Sequence, residues 1–183
     1  MNIFIGCASE DIDDSFNKNS LSLINEIAKI KDVNLVFGAY HNGLMGKCYE
    51  IFKDNNKKVT GITLNFYKDQ LDDLELDEAV LVETSMDRMR EIYNKSDIML
   101  FLPGGIGTYT ELFSSIEEHR TKEDNKLLIL YNDDFFYTPI IKELYWLYEK
   151  KLVKKSIGEY VNIESRMEDI IKLIEKEIKL LKN

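Results

Sequence analysis

A glycine-rich stretch, Pro103-Gly104-Gly105-Ile106-Gly107-Thr108, links an apolar run to an amphipathic one. Residues 98–102 ahead of it have the apolar character of a buried strand, and a helix is predicted from Tyr109 onward. The first turn of a helix presents unpaired backbone N–H groups, and glycines let the backbone approach a bulky anion closely. We therefore predict a phosphate site built from the backbone of Gly104, Gly105, Ile106, Gly107 and Thr108.

The glycine-rich stretch lacks residues that two common nucleotide-binding motifs require. A Walker A loop requires Lys followed by Ser or Thr after its last glycine, whereas Thr108-Tyr109 stands there. A dinucleotide fingerprint requires a third glycine at the position of Thr110. The glycines alone also permit a tight turn without a ligand, but the order of strand, glycines and helix start favours phosphate binding.

Glu111 follows Thr108 by three residues and fits two roles. In the Ser/Thr-x-x-Glu capping box, the glutamate accepts a hydrogen bond from the backbone at the start of its helix. A carboxylate beside a bound phosphate also suits acid–base chemistry on a sugar. Local spacing favours the capping role but does not separate the two.

Arg88 is one of four arginines in a chain that otherwise uses lysine. Thr84 or Ser85 is predicted to cap a helix, which places Arg88 in its first turn. The local sequence favours a solvated ion pair with Glu91, three residues later, which contributes little stability. The other interpretation is that the planar guanidinium holds phosphate or sugar oxygens in a bidentate manner, which lysine cannot do.

These residues lie in a chain that alternates short apolar runs with longer amphipathic stretches. Seven runs have the length of strands, namely residues 3–7, 35–37, 59–64, 79–82, 98–102, 127–131 and 160–163. The alternation predicts an α/β protein with a Rossmann-like three-layer fold, in which a mainly parallel sheet of about seven strands carries helices on both faces. Such sheets bind ligands at the carboxyl ends of their strands.

Composition narrows the classes of function. The 183 residues, 44% of them hydrophobic, predict one nucleotide-binding domain over residues 1–183. A formal net charge of −9 argues against partners such as nucleic acid or an anionic membrane.

The sequence also bears on metal sites and on localisation. Cys7 and Cys48 form no CxxC pair, so we expect no structural zinc. Neither a leader nor a long apolar run is seen, so we expect a cytoplasmic protein. The acidic residues 69–78 are interleaved with leucines, which favours a solvated connection or a lid over a metal site.

Residues 103–111 resemble the PGGxGTxxE motif of the Lonely Guy (LOG) family, phosphoribohydrolases formerly described as lysine decarboxylase-like. The family has an arginine fifteen residues before the motif proline, and Arg88 holds that position. Upstream, Gly43-Leu44-Met45-Gly46 resembles the family's GLMG segment, and residues 5–9 resemble its first-strand loop.

The resemblance implies a Rossmann-like fold, a homodimer, and hydrolysis of a nucleoside 5′-monophosphate to free base and ribose 5-phosphate. The implied substrate is AMP or an N6-modified AMP such as a cytokinin nucleotide, and no metal or redox cofactor is implied. The family's functional arginine and glutamate correspond to Arg88 and Glu111, which are the predicted catalytic residues.

The chain departs from the family pattern at four places, one of which is Glu117-Glu118-His119-Arg120, where a less charged stretch is usual. Met89 stands where lysine is usual, and Thr110 replaces the first glutamate of the GTxEE ending. Residues 38–42, Gly-Ala-Tyr-His-Asn, are bulkier than the glycine-rich stretch that usually precedes GLMG. These departures keep an alternative open, a nucleotide sensor or molybdenum-cofactor carrier that binds without hydrolysis.

Residues 140–148 have more apolar side chains than one core-facing helix stripe requires. The segment predicts a homodimer contact through Ile140, Ile141, Leu144, Tyr145, Trp146, Leu147 and Tyr148.

Overall fold

The computed structural model describes residues 1–122 and 124–182 and contains a seven-stranded sheet whose neighbouring strands all run parallel. The strands are β1 (Asn2–Gly6), β2 (Asn34–Phe37), β3 (Val59–Leu64), β4 (Glu78–Val82), β5 (Ile98–Phe101), β6 (Leu127–Tyr131) and β7 (Asn162–Glu164). Every predicted run overlaps one of these strands, so the predicted α/β fold class is confirmed, and the sheet is wholly rather than mainly parallel.

Helices cover both faces of the sheet. They are α1 (Asp14–Lys29), α2 (Gly43–Asp54), α3 (Ser85–Lys95), α4 (Ile106–Lys122), α5 (Thr138–Glu149) and α6 (Met167–Leu181). Buried residues of α1, α2 and α6 belong to one hydrophobic core, and those of α3, α4 and α5 belong to a second core on the opposite face. The three predicted layers are therefore present.

Alternation along each strand explains why the strands are apolar on both faces. In β1, Ile3 and Ile5 pack into the core beneath α1, α2 and α6, whereas Phe4 packs into the core beneath α3, α4 and α5. All three are 0% exposed. A strand that is buried on both sides has a continuous run of hydrophobic residues in its sequence. That run is the pattern from which β1 was predicted.

The strand order β4-β3-β2-β1-β5-β6-β7 reverses direction between β1 and β5. At such a switch point, the loops that follow the two strands diverge and leave a crevice at the carboxyl edge of the sheet. The Leu102 N–H, just beyond β5, donates to the Gly6 carbonyl at the end of β1 at 2.9 Å. The loop after β1 and the glycine-rich stretch therefore begin side by side.

Residues 65–77 connect β3 to β4 and begin with a 3-10 helix, Asn65–Leu71. The acidic residues 69–78 run from the end of that helix to the first residue of β4. Leu71, Leu74 and Leu76 pack against the core under α1 and α2, and the Glu75 N–H donates to the Tyr49 hydroxyl at 2.8 Å. Leucines thus anchor a connecting segment. In the described ranges, no three His, Cys, Asp or Glu side chains are grouped to hold a metal ion.

Within residues 1–122 and 124–182, none of the helices is both long enough and apolar enough to cross a membrane.

Candidate active site

The start of α3 positions Arg88. The Thr84 hydroxyl accepts the Asp87 N–H at 3.1 Å, so Thr84 is the helix cap, one of the two residues predicted for that role. From the first turn, the Arg88 side chain reaches over the carboxyl edge, where its Nε donates to the Ile62 carbonyl of β3 at 3.2 Å. The guanidinium is therefore held against the sheet.

Arg88 and Glu111 meet at the carboxyl edge. Arg88 Nη2 donates to Glu111 Oε1 at 3.1 Å, and the side chains are 18% and 4% exposed. The solvated pair of Arg88 with Glu91 that the local sequence favoured is wrong, because α3 turns Arg88 toward the sheet. Burying an ion pair costs solvation energy, so such a pair does not necessarily stabilise the fold. Buried charged groups of this kind are common in functional sites.

The helix that carries Glu111 starts earlier than predicted. Helix α4 begins at Ile106 rather than Tyr109, and the Tyr109 N–H donates to the Gly105 carbonyl at 3.1 Å to close the first turn. Thr108 is itself helical, so it is not the cap, and Glu111 lies in the second turn. The predicted capping box is therefore wrong, and the Glu111 carboxylate bonds with Arg88 instead.

Burial changes the proton affinity of Glu111. Removal from water raises the pKa of the Glu111 carboxyl above its ordinary value, and the neighbouring Arg88 charge opposes the rise without cancelling it. A carboxyl whose pKa lies above that of a surface glutamate binds a proton more readily. It is thus better suited to accept a proton during a reaction.

Two glycines at the ends of strands make room for this pair. A Cβ atom on Gly38, just after β2, would lie 2.7 Å from Arg88 Nη2. One on Gly6, the last residue of β1, would lie 3.0 Å from Glu111 Oε2. Sequence reasoning missed both, although a glycine at the carboxyl end of a buried strand was a usable signal of close approach.

Two of the three glycines of the predicted phosphate site, Gly105 and Gly107, face open space. A Cβ atom on Gly105 or Gly107 would meet no atom within 4 Å, and neither residue has a positive φ. Ile106 between them is 88% exposed. The packing of the chain therefore does not explain why these two residues are glycine. A bulky anion bound to the first N–H groups of α4 would explain it, because it needs the space that a side chain would fill.

Gly104 and Thr108, the other two residues of the predicted phosphate site, are packed against each other. Thr108 is 3% exposed, and its Oγ1 lies 2.2 Å from where a Cβ atom on Gly104 would be. The same Cβ atom would lie 3.1 Å from the Ala8 nitrogen in the loop after β1. Gly104 therefore lets three segments pack together: the end of β5, the start of α4 and the β1 loop.

The GLMG-like segment also joins this edge. It forms the first turn of α2, and the Met45 N–H donates to the Ala8 carbonyl at 3.0 Å. The methyl end of Met45 lies beside Gly38, where a Cβ atom would be 3.1 Å from its Cε. The first-strand loop is thus held between the starts of α2 and α4.

The two departures within the motifs are engaged away from the Arg88–Glu111 pair. Met89 packs, partly buried, against the core under α3, α4 and α5. The Thr110 hydroxyl is exposed and donates to the Ile106 carbonyl of its own helix at 2.9 Å. Both substitutions therefore leave the contact between Arg88 and Glu111 intact.

A cavity of about 780 Å³ lies elsewhere, between α4 and the segment that follows α5. His119 lines it, with Nδ1 3.0 Å from Asp124 Oδ1. None of the predicted site residues lines this cavity. The candidate chemistry therefore stays at the carboxyl edge, where the ion pair and the open helix start lie.

Curated relatives share part of the chain. A cytokinin riboside 5′-monophosphate phosphoribohydrolase of Arabidopsis thaliana is 26% identical over 140 residues, and a probable one of Oryza sativa subsp. japonica is 28% identical over 128 residues. The matches cover 76% and 69% of this chain but only 65% and 55% of those relatives. Another Arabidopsis enzyme of that name is 25% identical over 95% of this chain and 80% of its own length.

Solved structures show the same fold at lower identity. A molybdenum cofactor binding protein from Rippkaea orientalis superimposes with a TM-score of 0.70 at 21% identity, covering 97% of this chain and 96% of its own. The molybdenum cofactor carrier protein of Chlamydomonas reinhardtii gives a TM-score of 0.70 at 14% identity, with 97% and 98% covered. These likenesses establish the architecture and nothing about the ligand.

A family model described as "Possible lysine decarboxylase" matches residues 45–174, a span that includes Arg88, the glycine-rich stretch and Glu111. Because the match covers most of the chain and agrees with the named relatives, the protein belongs to this family, and the LOG resemblance of its PGGxGTxxE segment is confirmed.

Proposed function

We propose that this protein hydrolyses the N-glycosidic bond of a nucleoside 5′-monophosphate, releasing the free base and ribose 5-phosphate. The substrate is AMP or an N6-modified AMP such as a cytokinin nucleotide. The observation that carries the proposal is the buried contact of Arg88 with Glu111 beside the open start of α4. The names of the relatives support the same class of reaction.

The 5′-phosphate occupies the start of α4. The N–H groups of Ile106, Gly107 and Thr108 are the first of the helix and have no acceptor within it. From Thr108 to Glu111 the helix advances about 4.5 Å, a distance comparable with one ribose. A phosphate bound at the helix start therefore places the sugar next to the Glu111 carboxylate.

Cleavage of the glycosidic bond develops positive charge on the sugar. The Glu111 carboxylate stabilises this charge and orients a water molecule toward C1′. The water oxygen bonds to C1′, the electron pair of the C1′–N bond leaves with the base, and one water proton ends on the base. Glu111 is suited to accept the proton from the attacking water because burial raises its pKa.

Arg88 both holds Glu111 and binds the sugar. Its Nε–H and one Nη2–H are engaged with Ile62 and Glu111. A guanidinium has five N–H donors, so three remain for ribose or phosphate oxygens. The side chain is 18% exposed, so part of it remains accessible for such a contact. Fixing both groups before the substrate arrives lowers the entropic cost of reaching the reactive geometry.

The direct test is product analysis. Purified protein is incubated with AMP, an N6-prenylated AMP and the matching nucleosides, and the released base and ribose 5-phosphate are measured. We expect base from the nucleotides and little from the nucleosides, which lack the group that the α4 start binds. Tight AMP binding without base release from any nucleotide would favour the sensor or carrier alternative.

The protein is further proposed to act as a homodimer through α5. Of the predicted contact residues, Ile141 is buried, and Ile140 and Leu144 pack against the core, so they are part of the fold itself. The exposed members of the face are Tyr145, Trp146 and Tyr148, which are 41%, 47% and 43% exposed. Three neighbouring exposed aromatic residues form the kind of surface that a second copy covers.

A further inference from the structure

Tyr137 contacts the strand end of the glycine-rich stretch. It stands directly before α5, is 0% exposed, and its hydroxyl donates to the Leu102 carbonyl at 2.5 Å. Leu102 is the last residue before Pro103, so this bond fixes the point at which the chain leaves β5. Proline cannot donate a backbone hydrogen bond, and glycines add conformational freedom, so the stretch gains order from an external anchor.

The same ring contacts the helix end of the stretch. The Tyr137 and Tyr109 rings meet edge to face, with centroids 5.5 Å apart and planes at 61°. Tyr109 is the residue whose N–H closes the first turn of α4 onto Gly105. One buried side chain therefore holds both ends of the segment whose amides bind phosphate in the proposed function.

Tyr137 is itself fixed by its neighbours. Its backbone N–H donates to Asn132 Oδ1 at 2.8 Å, and Asn132 Nδ2 donates to the Thr138 hydroxyl at 3.1 Å. The Asn132 N–H donates to the Glu164 carbonyl of β7 at 2.8 Å. The Phe136 ring adds an edge contact at 4.8 Å. The anchor therefore rests on β6 and β7, which are outside the loop that it holds.

We propose that Tyr137 is a positioning residue that sets the geometry of the amide groups at the start of α4 and thereby the affinity for the phosphate of the substrate. This inference rests on the proposed function, because it assigns those amides to phosphate. Tyr137 does not touch the reacting atoms. It lowers the ordering that the loop must undergo when the phosphate binds.

The test compares two buried tyrosines. Tyr137→Phe removes the hydroxyl that bonds Leu102. Tyr93→Phe is the matched control, because Tyr93 is 1% exposed and its hydroxyl donates to both carboxylate oxygens of Asp124 at 2.8 Å, away from the loop. Affinities for AMP and adenosine are measured by titration calorimetry. Amide hydrogen exchange of residues 104–108 is followed by mass spectrometry without nucleotide.

We expect Tyr137→Phe to weaken AMP binding by up to about 10-fold, because the loop loses order that one buried hydrogen bond supplied and must regain it on binding, and to leave adenosine binding unchanged. Exchange at residues 104–108 should become faster. Tyr93→Phe should leave both the AMP-to-adenosine affinity ratio and loop exchange as in the wild type, even if it melts at a lower temperature. Tyr109→Leu, which removes only the helix-side contact, should weaken AMP binding about threefold.

Four results would each overturn one of the two proposals. Equal losses of AMP and adenosine affinity in Tyr137→Phe would show a merely structural residue. Unchanged exchange at residues 104–108 would overturn the positioning role whether or not nucleotides bind. Faster exchange in Tyr137→Phe together with a wild type that binds no AMP would overturn the proposed function alone. If Tyr137→Phe does not fold, Tyr109→Leu decides, and an unchanged AMP-to-adenosine ratio in that variant overturns the positioning role.

Discussion

Arg88 Nη2 and Glu111 Oε1 are 3.1 Å apart although the two residues are separated by 23 positions in the chain. The pair is asymmetric, because the arginine side chain is 18% exposed and the glutamate side chain 4%. Arg88 therefore stays partly accessible to solvent while it contacts the carboxylate, whereas Glu111 depends on Arg88 for the compensation of its charge. Changes at the two positions should thus have different consequences.

Glu111→Gln should lower turnover by about 10²–10⁴-fold, since it removes the charge that stabilises the sugar and accepts the proton. The fold should survive, because glutamine has similar size and keeps an oxygen acceptor for Arg88. Rate and melting temperature are measured on the same preparation. Glu117→Gln is the control, as this residue is in the same helix with a side chain 59% exposed and pairs with Arg120. Unchanged turnover in Glu111→Gln would contradict the assigned chemistry.

Arg88→Ala should abolish turnover and make stability strongly dependent on pH. Without the arginine charge, the pKa of the buried Glu111 carboxyl rises further above its ordinary value. Between its unfolded and folded pKa values, the folded state then binds more protons than the unfolded state, so stability falls as pH rises. At neutral pH the loss should reach about 3 kcal/mol, and it should shrink as pH falls through the folded pKa toward the unfolded value.

Urea denaturation at several pH values measures that dependence, with the wild type as reference. In the double variant Arg88→Ala, Glu111→Gln, the additional pH dependence should disappear, because no carboxyl remains to titrate at that position. Arg120→Ala breaks an exposed pair and should cost at most about 1 kcal/mol at any of these pH values. An Arg88→Ala curve parallel to that of the wild type would show that Glu111 is not coupled to Arg88.

Gly38→Ala should lower turnover by displacing the Arg88 guanidinium. The new Cβ atom would stand 2.7 Å from Arg88 Nη2 and close to Met45 Cε, so the guanidinium must move. The crowding should cost about 1–3 kcal/mol of stability. Steady-state kinetics and a denaturation curve are the measurements. Turnover equal to that of the wild type would mean that the position of Arg88 does not matter for the reaction.

The strands and most of the helix faces were predictable because burial on two sides leaves continuous apolar runs such as residues 98–102. The contact of Arg88 with Glu111 was not predictable from local sequence. Local spacing considers residues three or four apart on one helix, whereas Glu111 comes from the next helix, brought near by the packing of α3 against α4. The family resemblance identified both residues, and it contained no information about their contact.

The start of α4 shows a different limit. The pattern Thr108-Tyr109-Thr110-Glu111 satisfies the capping box in sequence, yet the helix begins at Ile106 because the Gly105 carbonyl accepts the Tyr109 N–H. Thr108 is then drawn under Gly104, a contact that only tertiary packing reveals. The position of the glycine-rich stretch between a strand and a helix start was predictable, and the packing around it was not.

A homodimer should be visible in solution. Light scattering at micromolar concentration should give about twice the 21.4 kDa mass of the chain, and Trp146→Glu should reduce it to the single-chain value, since burying a charge at the centre of an apolar contact is costly. Leu181→Glu, at a residue 55% exposed on the end of α6, is the control and should remain dimeric. A wild-type mass near 21.4 kDa would contradict the dimer.

Gly107→Ala should make the protein more stable and a poorer AMP binder. Gly107 lies in the first turn of α4 without a positive φ, and its Cβ atom would meet nothing within 4 Å. Alanine therefore fits the free protein and should add about 0.5–1 kcal/mol of stability. If the phosphate rests against this backbone, the methyl group obstructs it and the affinity for AMP falls.

The melting temperature measures both effects. For the wild type, AMP at 100 times its dissociation constant adds about 2.7 kcal/mol to the free energy of unfolding, which raises the melting temperature by about 5–10 °C. The variant should start from a higher melting temperature and shift less at the same AMP concentration. Thr110→Ala, at an exposed position in the same helix whose hydroxyl bonds Ile106, controls for changes in α4 that do not face the phosphate. If Gly107→Ala binds AMP as tightly as the wild type does, the start of α4 is not the phosphate site.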